Sequence, residues 1–451
     1  MSGDTVATPQ QNWLALQAGY QDFRAFVNPL LALRAELCSE PYQLCAVNNS
    51  QFNSQFNGQM QDQHGHGYTD LMAGWGTQAF GHRPPEIEAA LTRFLQGNTP
   101  SFYPSGISPY AGQLAARLQQ RSGYDASFFA SGGSEAVEAA LKLARAATGR
   151  PRIAYLSGAY HGCTYGSVAM MHHGPYRDGF GPHLPQIDCL PFDDIPALQA
   201  ALADPQLAAV VLEPWQVESG VRAPGHEYLH TLCAGTGEHG VLLVADEIQT
   251  GVGRTGRFLC SETWPRRPDV VLLAKALGGG LLPLSAMLTR RAIFERAYGK
   301  LGMAEAHAST FSGNALAAVA GVAALDLLDD ALQAEVQRKG QLLREALLSA
   351  LAGSPLFGGL RGEAMLLGIE LQVPDHPVYQ FGYLGLAELE PQPAIGLLAV
   401  HRLYKAGFIS QICGHAWQVL RLQPPYTTPD AELLRFASEL RAALVYLWEL
   451  Q

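Results

Sequence analysis

From about residue 70 onwards, short apolar runs alternate with longer stretches of helical periodicity. The stretch SEAVEAALKLARAATG, which begins at Ser134, has apolar residues at the three-to-four spacing of an amphipathic helix. Strands that alternate with helices imply crossover connections, so the pattern predicts an α/β fold with a mainly parallel sheet covered on both faces. The predicted strands are RIAYLSG from Arg152, LAAVVLEP from Leu207, GVLLVADEI from Gly240 and VVLLAKAL from Val270.

The two ends of the chain have a different texture. Residues 11–40 show helical periodicity interrupted by Pro29, and the Asn/Gln/Gly-rich residues 48–67 predict a loop or an irregular edge hairpin. After residue 325, one helical stretch to Leu351 precedes LRGEAMLLGIELQV and HAWQVLRLQPPYTT, and a last helix begins at Asp430. This pattern predicts an α+β C-terminal domain.

We therefore divide the chain into three parts. An N-terminal segment covers residues 1–69, a large domain covers residues 70–324, and a C-terminal domain covers residues 325–451. The length of 451 residues suits one large core with a smaller attached domain.

Composition narrows the class of partner. The net charge is −10 and no basic block is present, which argues against nucleic acid or an anionic membrane surface as a partner. Seven scattered cysteines without a C-x-x-C pair indicate reduced thiols and a cytoplasmic location. The N-terminus lacks the pattern of a signal peptide. His64 and His66 have no third ligand nearby, so we expect them to be solvated and predict no metal site.

The longest apolar window, DVVLLAKALGGGLLP at residues 269–283, contains Lys275 and three glycines. The lysine, the glycines and Pro283 argue against a membrane-spanning helix. A buried ammonium group is costly unless it is paired or neutralised, so Lys275 needs a chemical reason. Asp246 also ends a predicted strand, and Gly132 and Gly133 lie between another strand and a helix. Ligands of parallel sheets bind at the carboxyl ends of strands.

These three features fit pyridoxal 5'-phosphate. The cofactor needs an amine for a Schiff base, an acid opposite its ring nitrogen and a cup for its phosphate. Lys275 supplies the amine, Asp246 the acid, and the glycine-rich helix start supplies N–H groups for an anion. Simple helix capping, with Glu135 in the first turn, is the alternative explanation for the glycines.

A second glycine pattern points to a different cofactor. Gly251-x-Gly253-x-x-Gly256 matches the dinucleotide fingerprint and raises a nicotinamide-dependent dehydrogenase as an alternative. The fingerprint requires the glycines directly after a strand and at the start of a helix. Here DEIQT intervenes and no clean helical period follows, so we expect these glycines to shape a loop around a different ligand.

Five motifs then resemble one known family in the family's order. They are SGGSEAVEAALKLAR, YHG, LLVADEIQTGVGRTG, PDVVLLAKALGGG and STFSGNALA, and the similarity extends from about residue 68 to the C-terminus. The chain resembles class III aminotransferases of fold type I, which include ornithine and putrescine aminotransferases. The resemblance implies a seven-stranded, mainly parallel sheet, a small α+β domain built from both termini, bound pyridoxal phosphate, and a homodimer with active sites at its interface.

The resemblance also assigns cofactor-binding roles. It implies that Lys275 forms the Schiff base, that Asp246 pairs with the ring nitrogen and that Gln249 approaches the ring hydroxyl. The other implied contacts are the phosphate cradle of Gly132, Gly133 and Ser134, stacking by Tyr160, support from Glu213, and a reach by Thr310 to the neighbouring subunit's phosphate. Without the resemblance, Tyr160, Glu213 and Thr310 would be interpreted as a core aromatic, a turn cap and a loop hydroxyl.

Four residues bear on the substrate. Arg421 resembles the arginine that binds an α-carboxylate, and Glu218 resembles the glutamate that pairs with it when an end without a carboxylate enters. A surface ion pair is the alternative for these two. Cys163 stands where ornithine- and GABA-type members carry an arginine, so recognition of a dicarboxylate is in doubt. Trp75 stands at a pocket-lining position, with core packing as the alternative. Phe102 and Tyr103 add candidate aromatic walls from the partner subunit.

The resemblance therefore implies an aminotransferase that moves an amino group between a primary amine or ω-amino acid and a 2-oxo acid or an aldehyde or ketone. The alternatives within the same fold are an aminomutase, a racemase or a decarboxylase, because the cofactor motifs do not separate these reactions. A cofactor-free binding protein of this fold is a further alternative, but it would be expected to lose Lys275 or Asp246.

Overall fold

The computed structural model describes residues 9–36, 39, 44–47, 59–103, 106–389 and 392–451. The N-terminal part contains two helices and three short strands. Part of the Asn/Gln-rich tract, residues 48–58, lies outside the described residues. The described part of the tract, residues 59–67, lies in an antiparallel hairpin, which agrees with the prediction of a hairpin rather than a loop. The elements are α1 (Pro9–Phe26), α2 (Pro29–Glu36), β1 (Leu44–Val47), β2 (Gln59–Asp62) and β3 (Gly67–Asp70).

Alternating strands and helices make up the middle of the chain. Short 3-10 turns cover Cys260–Thr263, Lys275–Gly278 and Leu301–Met303. The main elements are α3 (Ala73–Gly76), α4 (Pro85–Gln96), α5 (Pro109–Ser122), β4 (Ala126–Ala130), α6 (Gly133–Thr148), β5 (Arg152–Leu156), α7 (Tyr165–Val168), β6 (Ile187–Leu190), α8 (Ile195–Leu202), β7 (Leu207–Leu212), α9 (His226–Glu238), β8 (Leu242–Asp246), β9 (Val270–Leu273), β10 (Ser285–Thr289), α10 (Arg291–Tyr298) and α11 (Ala315–Leu327).

Seven of these strands form one sheet in the order β4-β10-β9-β8-β7-β5-β6, in which only β10 runs antiparallel to its neighbours. This confirms the predicted mainly parallel, seven-stranded α/β sheet. All residues of β7 and β8 are buried, as expected for central strands covered on both faces. The register pairs Leu212 with Ala245 and Asp246 with Leu272, so the residues that follow these strands emerge at the same edge.

The C-terminal part is an antiparallel sheet packed with helices. The predicted single helix over 325–351 is wrong, because Asp329 starts a new helix by accepting a hydrogen bond from the Leu332 N–H at 2.8 Å. The last helix begins at Asp430, as predicted. The elements are α12 (Asp330–Leu351), β11 (Phe357–Glu363), β12 (Leu366–Leu371), α13 (Ile395–Lys405), β13 (Phe408–Ile409), β14 (Gln411–Ile412), β15 (Val419–Leu422) and α14 (Asp430–Trp448), with 3-10 turns at Pro377–Tyr379 and Ala387–Leu389.

The two ends of the chain meet in a second sheet, because β13 pairs in parallel with β3 in the order β1-β2-β3-β13. A third sheet has the order β11-β12-β15-β14. One cluster of buried side chains extends from the large sheet into the C-terminal part and includes Leu273, Leu328, Leu367 and Phe436. The division at residues 69/70 and 324/325 stays a prediction. Within the described residues, no helix has the length and apolar character that a membrane span requires.

Candidate active site

A cavity of about 460 Å³ opens where the central strands of the large sheet end. It lies where α/β sheets bind their ligands, outside the carboxyl ends of the parallel strands. Of the predicted site residues, seven line it. They are Gly133, Ser134, Tyr160, Glu213, Asp246, Gln249 and Lys275, and Glu218 is an eighth from the predicted substrate set.

Lys275 follows β9 and lines the cavity with a left-handed backbone, at φ 48°. A positive φ is uncommon for a residue with a side chain and costs about 1–3 kcal/mol. Burial lowers the pKa of Lys275 to about 8, although the charges of Glu218, Asp246 and Glu213 oppose that shift. The amine is therefore available in its neutral, nucleophilic form close to neutral pH.

Two of the glycines after Lys275 have different roles: one lines the cavity and the other allows close packing. Gly280 lines the cavity. Gly279 does not: a Cβ there would come within 2.5 Å of the Ile87 Cδ1 atom, and its φ is 66°. Gly279 is thus required by close packing and backbone conformation.

Asp246 is buried at the end of β8 and is held by a histidine. The Oδ2 atom of Asp246 lies 2.7 Å from Nδ1 of His161, and Oδ1 accepts from the Ile248 N–H at 3.1 Å. Burial disfavours a charged His161, but the hydrogen bond and charge of Asp246 outweigh that effect and raise the pKa of His161. The motif YHG drew attention to Tyr160 alone. Nothing in the periodicity of the sequence indicated that His161 contacts Asp246, 85 residues away.

Glu213 lies at the end of β7, and its Oε1 atom accepts a hydrogen bond from the Tyr160 N–H at 2.9 Å. This bond fixes the backbone of Tyr160 beside the cavity. Burial raises the pKa of Glu213 to about 8, even though the charge of His161 acts in the opposite direction. The neighbouring strand end thus adds a second buried acid to the site.

The start of α6 lines the cavity at Gly133 and Ser134. The alternative of helix capping also applies, because the Glu135 side chain accepts from the N–H groups of Ser131 and Gly132, at 3.0 and 2.7 Å. Gly132 itself is not among the cavity residues. Gly133 and Ser134 are therefore the residues of the predicted cradle whose N–H groups are available at the cavity, since first-turn N–H groups have no partner within the helix.

Gly162 keeps the chain close to this helix start. A Cβ on Gly162 would lie 2.0 Å from the Ser134 hydroxyl, and the residue has a φ of 113°. The Cys163 N–H donates to the same hydroxyl at 3.3 Å. The loop after β5 and the start of α6 therefore form one wall, on which Tyr160 and Ser134 lie next to each other.

Arg421 and Glu218 form an ion pair beside the cavity. Arg421, on β15, is 2% exposed, which excludes the alternative of a surface ion pair. The second carboxylate oxygen of Glu218 accepts from the Gly414 N–H at 2.7 Å. Burial alone would raise the pKa of Glu218, but the charges of Arg421 and Lys275 outweigh it and lower that pKa.

Five predicted residues are not among the cavity residues of this chain: Gly132 and Arg421, described above, and Thr310, Cys163 and Trp75. Thr310 is exposed in a turn. Cys163 is also exposed, with its sulfur 3.5 Å from the Tyr160 hydroxyl oxygen. Trp75 is 52% exposed, so core packing is wrong for it. The candidate wall residue Phe102 is 50% exposed and contacts Phe311 edge-on, and Tyr103 is half-buried.

The loop that carries the second glycine pattern does not line the cavity, which corrects our expectation that it shapes a ligand site. It packs against α12 and the segment before it: a Cβ on Gly253 would meet Leu328, and one on Gly256 would meet Gln337. A 3-10 turn follows the loop in place of the helix that a dinucleotide site requires. Among the described residues, no group of three or more His, Cys, Asp or Glu side chains is arranged to hold a metal ion.

Comparison with protein families identifies the family of the chain. The model of the class-III aminotransferase family matches residues 47–444, and these include every cavity residue. The chain belongs to the class-III aminotransferase family. It is a pyridoxal-phosphate-dependent aminotransferase, and the prediction of the family, the fold type and the cofactor from the five motifs is confirmed.

Several relatives of this aminotransferase are known. It is 31% identical to aminotransferase PigE of a Serratia species over 92% of this chain, but it spans only 52% of that relative. It is 33% identical to a diaminobutyrate–2-oxoglutarate aminotransferase of Rhizobium meliloti, over 85% of each chain. The ornithine aminotransferase structure from Toxoplasma gondii ME49 superimposes with a TM-score of 0.79 at 27% identity and covers all of this chain and 98% of its own.

The residues of this aminotransferase fit the cofactor. The amide nitrogen of Gln249 is buried at the cavity without a hydrogen-bond partner in the described residues, and the same holds for Nε2 of His161. Buried polar atoms without partners are rare and indicate a missing group. An amine with a lowered pKa, a buried acid and a helix start surround the same space, as pyridoxal phosphate requires.

Proposed function

We propose that this aminotransferase takes its amino group from a primary amine or from the distal amine of an ω-amino acid, and passes it to a 2-oxo acid. In the biosynthetic direction an aldehyde or ketone would receive the amino group. The observation that carries this proposal is the Glu218–Arg421 pair beside Lys275. With Glu218 paired, the cavity has no uncovered guanidinium at this point and suits a substrate end without a carboxylate.

The same pair serves the second half-reaction when it opens. An arginine fork binds a carboxylate through two parallel hydrogen bonds, so a 2-oxo acid that displaces Glu218 gains charge-assisted bonds to Arg421. The Nε atom of Arg421 is buried without a partner within the described residues, which leaves a donor for such an acid. With an amine end in the cavity, Glu218 would stay paired with Arg421 and hydrogen-bonded to the Gly414 N–H. With a 2-oxo acid, it would swing away from the guanidinium.

The roles of the cofactor-binding residues are part of the proposal. Bound pyridoxal phosphate would supply an electron sink and would carry the amino group between the two half-reactions. Lys275 would hold the cofactor covalently and move the proton at the substrate carbon with its Nζ atom. Asp246, held by His161, would keep the ring nitrogen protonated. The cofactor's phosphate would bind at Gly133 and Ser134, with Gly132 shaping the turn, while Tyr160 stacks on the ring, Gln249 contacts its hydroxyl and Glu213 fixes Tyr160.

We also propose a homodimer in the cytoplasm. Thr310 is exposed and outside this chain's cavity, which supports a contact with the phosphate bound by a second copy. Phe102 and Phe311 form an exposed aromatic pair with ring centroids 5.1 Å apart. Within the described residues, five cysteines are free thiols: Cys163, Cys189, Cys233, Cys260 and Cys413. Free thiols are typical of a reducing compartment, which supports the cytoplasm.

The names of the relatives support this choice of substrate over the aminomutase, racemase and decarboxylase alternatives. Those reported above are named aminotransferases, and diaminobutyrate and ornithine in their names both carry an amine distal to the carboxylate. Cys163 and the exposed Trp75 depart from the ornithine and GABA pattern, which supports an amine without a second carboxylate.

The Glu218→Gln variant tests this proposal. Because glutamine cannot neutralise Arg421, the buried guanidinium would oppose an amine end without a carboxylate. We expect kcat/KM for putrescine, with pyruvate as acceptor, to fall about tenfold or more, while kcat/KM for alanine, with 2-oxobutanoate as acceptor, stays the same or rises. Glu335→Gln, which breaks an exposed ion pair with Arg338, is the matched control. An equal loss for putrescine and alanine would contradict the proposal.

A further inference from the structure

A group of aromatic and imidazole rings lies beside the cavity on the side of Glu218. His172, Tyr176 and His415, which we call the outer wall, are all half-buried. The ring of His415 lies 4.9 Å from that of His172 and 5.6 Å from that of Tyr176. Tyr176 also meets Tyr160 edge-on, with the ring centroids 6.3 Å apart. The outer wall therefore continues the surface that Tyr160 begins in the cavity.

Glu218 fixes the outer wall to the substrate end of the site. Its side chain accepts a hydrogen bond from the Gly414 N–H at 2.7 Å, and its backbone carbonyl accepts one from the His415 N–H at 2.8 Å. A Cβ on Gly414 would lie 2.7 Å from the Glu218 carboxylate and 3.8 Å from the Tyr176 ring. The segment that carries His415 thus passes between Glu218 and Tyr176 and fixes the outer wall next to the carboxylate that lines the cavity.

The outer wall offers no free positive charge to a carboxylate. Burial, with the neighbouring His172, lowers the pKa of His415 to about 4, and burial also lowers the pKa of His172. The charged groups that act on His415 are Glu218 and Arg222. Glu218 is paired with Arg421.

Arg222 is committed to other groups. It donates to the Gln216 side chain at 2.9 Å and to the Ser157 carbonyl at 2.8 Å, and it stacks over the Phe192 ring. Cys163 adds a thiol beside Tyr160 at the position where a cation would serve a second carboxylate. The outer wall is therefore made of aromatic and imidazole rings, and the Arg222 guanidinium near it is already bound to other groups.

We propose that the outer wall, His172, Tyr176 and His415, binds the distal end of the amine donor and selects an uncharged aromatic or alkyl group over a carboxylate. This inference rests on the proposed function, since it names the class of donor for the same site. Aromatic rings favour offset and edge-on contacts with another ring, and a neutral wall leaves a buried carboxylate without a partner. His172, Tyr176 and His415 are thus specificity-determining residues.

Two donors with the same chain length test the proposal. 4-Phenylbutylamine and 5-aminopentanoate each carry four methylene groups on the amine and differ only in a phenyl or a carboxylate end. With the holoenzyme and pyruvate, we expect kcat/KM for 4-phenylbutylamine to be at least about tenfold higher. Equal values, or a preference for the carboxylate, would overturn the proposal.

Variants locate the preference. We expect Tyr176→Ala to lower kcat/KM for 4-phenylbutylamine about tenfold while n-butylamine, which lacks the phenyl ring, changes less than about twofold. His415→Ala is expected to act in the same direction, and Tyr176→Phe, which keeps the ring, is the matched control. An equal loss for both amines in Tyr176→Ala, with the cofactor still bound by its absorbance, would overturn the proposal.

The proposed function has a separate readout in the same samples. Conversion of the bound cofactor to its amine form by n-butylamine alone reports transamination of a primary amine. If n-butylamine reacts but the two matched donors do not differ, only the outer-wall proposal fails. If no primary amine reacts while alanine does, the proposed function fails and the outer-wall proposal fails with it.

Discussion

The carboxylate of Asp246 lies 2.7 Å from Nδ1 of His161, and both residues are buried and line the cavity. The two residues come from different strand ends, since His161 follows β5 and Asp246 ends β8. Nδ1 of His161 and the Ile248 N–H each hold one oxygen of Asp246, which leaves the buried carboxylate little freedom to rotate. We propose that His161 is a positioning residue for the acid that would face the cofactor's ring nitrogen.

Replacing His161 tests this role. We expect His161→Phe to lower kcat about tenfold or more, since Asp246 loses its partner, with little change in the KM for the amine donor. Asp246→Asn should be more damaging than His161→Phe, because it removes the negative charge itself. Steady-state kinetics with putrescine and pyruvate measure both. If His161→Phe raised KM alone and left kcat unchanged, the residue would not act through Asp246.

The pKa of Lys275 near 8 predicts how the apoenzyme takes up pyridoxal phosphate. Only the neutral amine attacks the aldehyde, and the neutral fraction of a group with this pKa rises about tenfold between pH 7 and pH 9. The uptake rate should therefore rise over that range and then level off. Stopped-flow absorbance from pH 7 to pH 10.5 measures it. A rate that kept rising to pH 10.5 would indicate a lysine with an ordinary pKa.

The Cys163→Arg variant tests the charge of the substrate end. An arginine next to Tyr160 would supply the cation that this position lacks, so kcat/KM for glutamate should rise about tenfold relative to alanine. In the wild type, we expect glutamate to be a poorer partner than alanine. Cys163→Ser, which adds no charge, is the control. A wild type that clearly prefers glutamate would refute our interpretation of Cys163.

The sequence predicted the parts of the fold that local pattern determines. The strand runs that begin at Arg152, Leu207 and Val270 are all observed, because their apolar character reflects burial on both faces. The break between α11 and α12 was missed. Both sides of it have helical periodicity, and only the Asp329 side chain, which caps Leu332, separates them.

In the candidate site, too, some contacts follow from the sequence pattern and others do not. The convergence of Asp246 and Lys275 was predictable, since strand ends of a parallel sheet meet at one edge, whereas Glu213 was indicated only by the family resemblance. The pair of Glu218 and Arg421, which are 203 residues apart, was indicated only by the family resemblance. The contacts of His161 with Asp246 and of His172 with His415 depend on how loops pack, and no local pattern encodes them.

The most direct test of the account is single-turnover transamination by the Lys275→Ala variant. The Lys142→Ala variant, which removes an exposed lysine on α6, serves as the matched control. We predict that Lys275→Ala loses both the visible absorbance of the lysine-bound cofactor and the transfer of an amino group from putrescine to pyruvate, while Lys142→Ala keeps both. Transfer by Lys275→Ala at the wild-type rate would contradict the account.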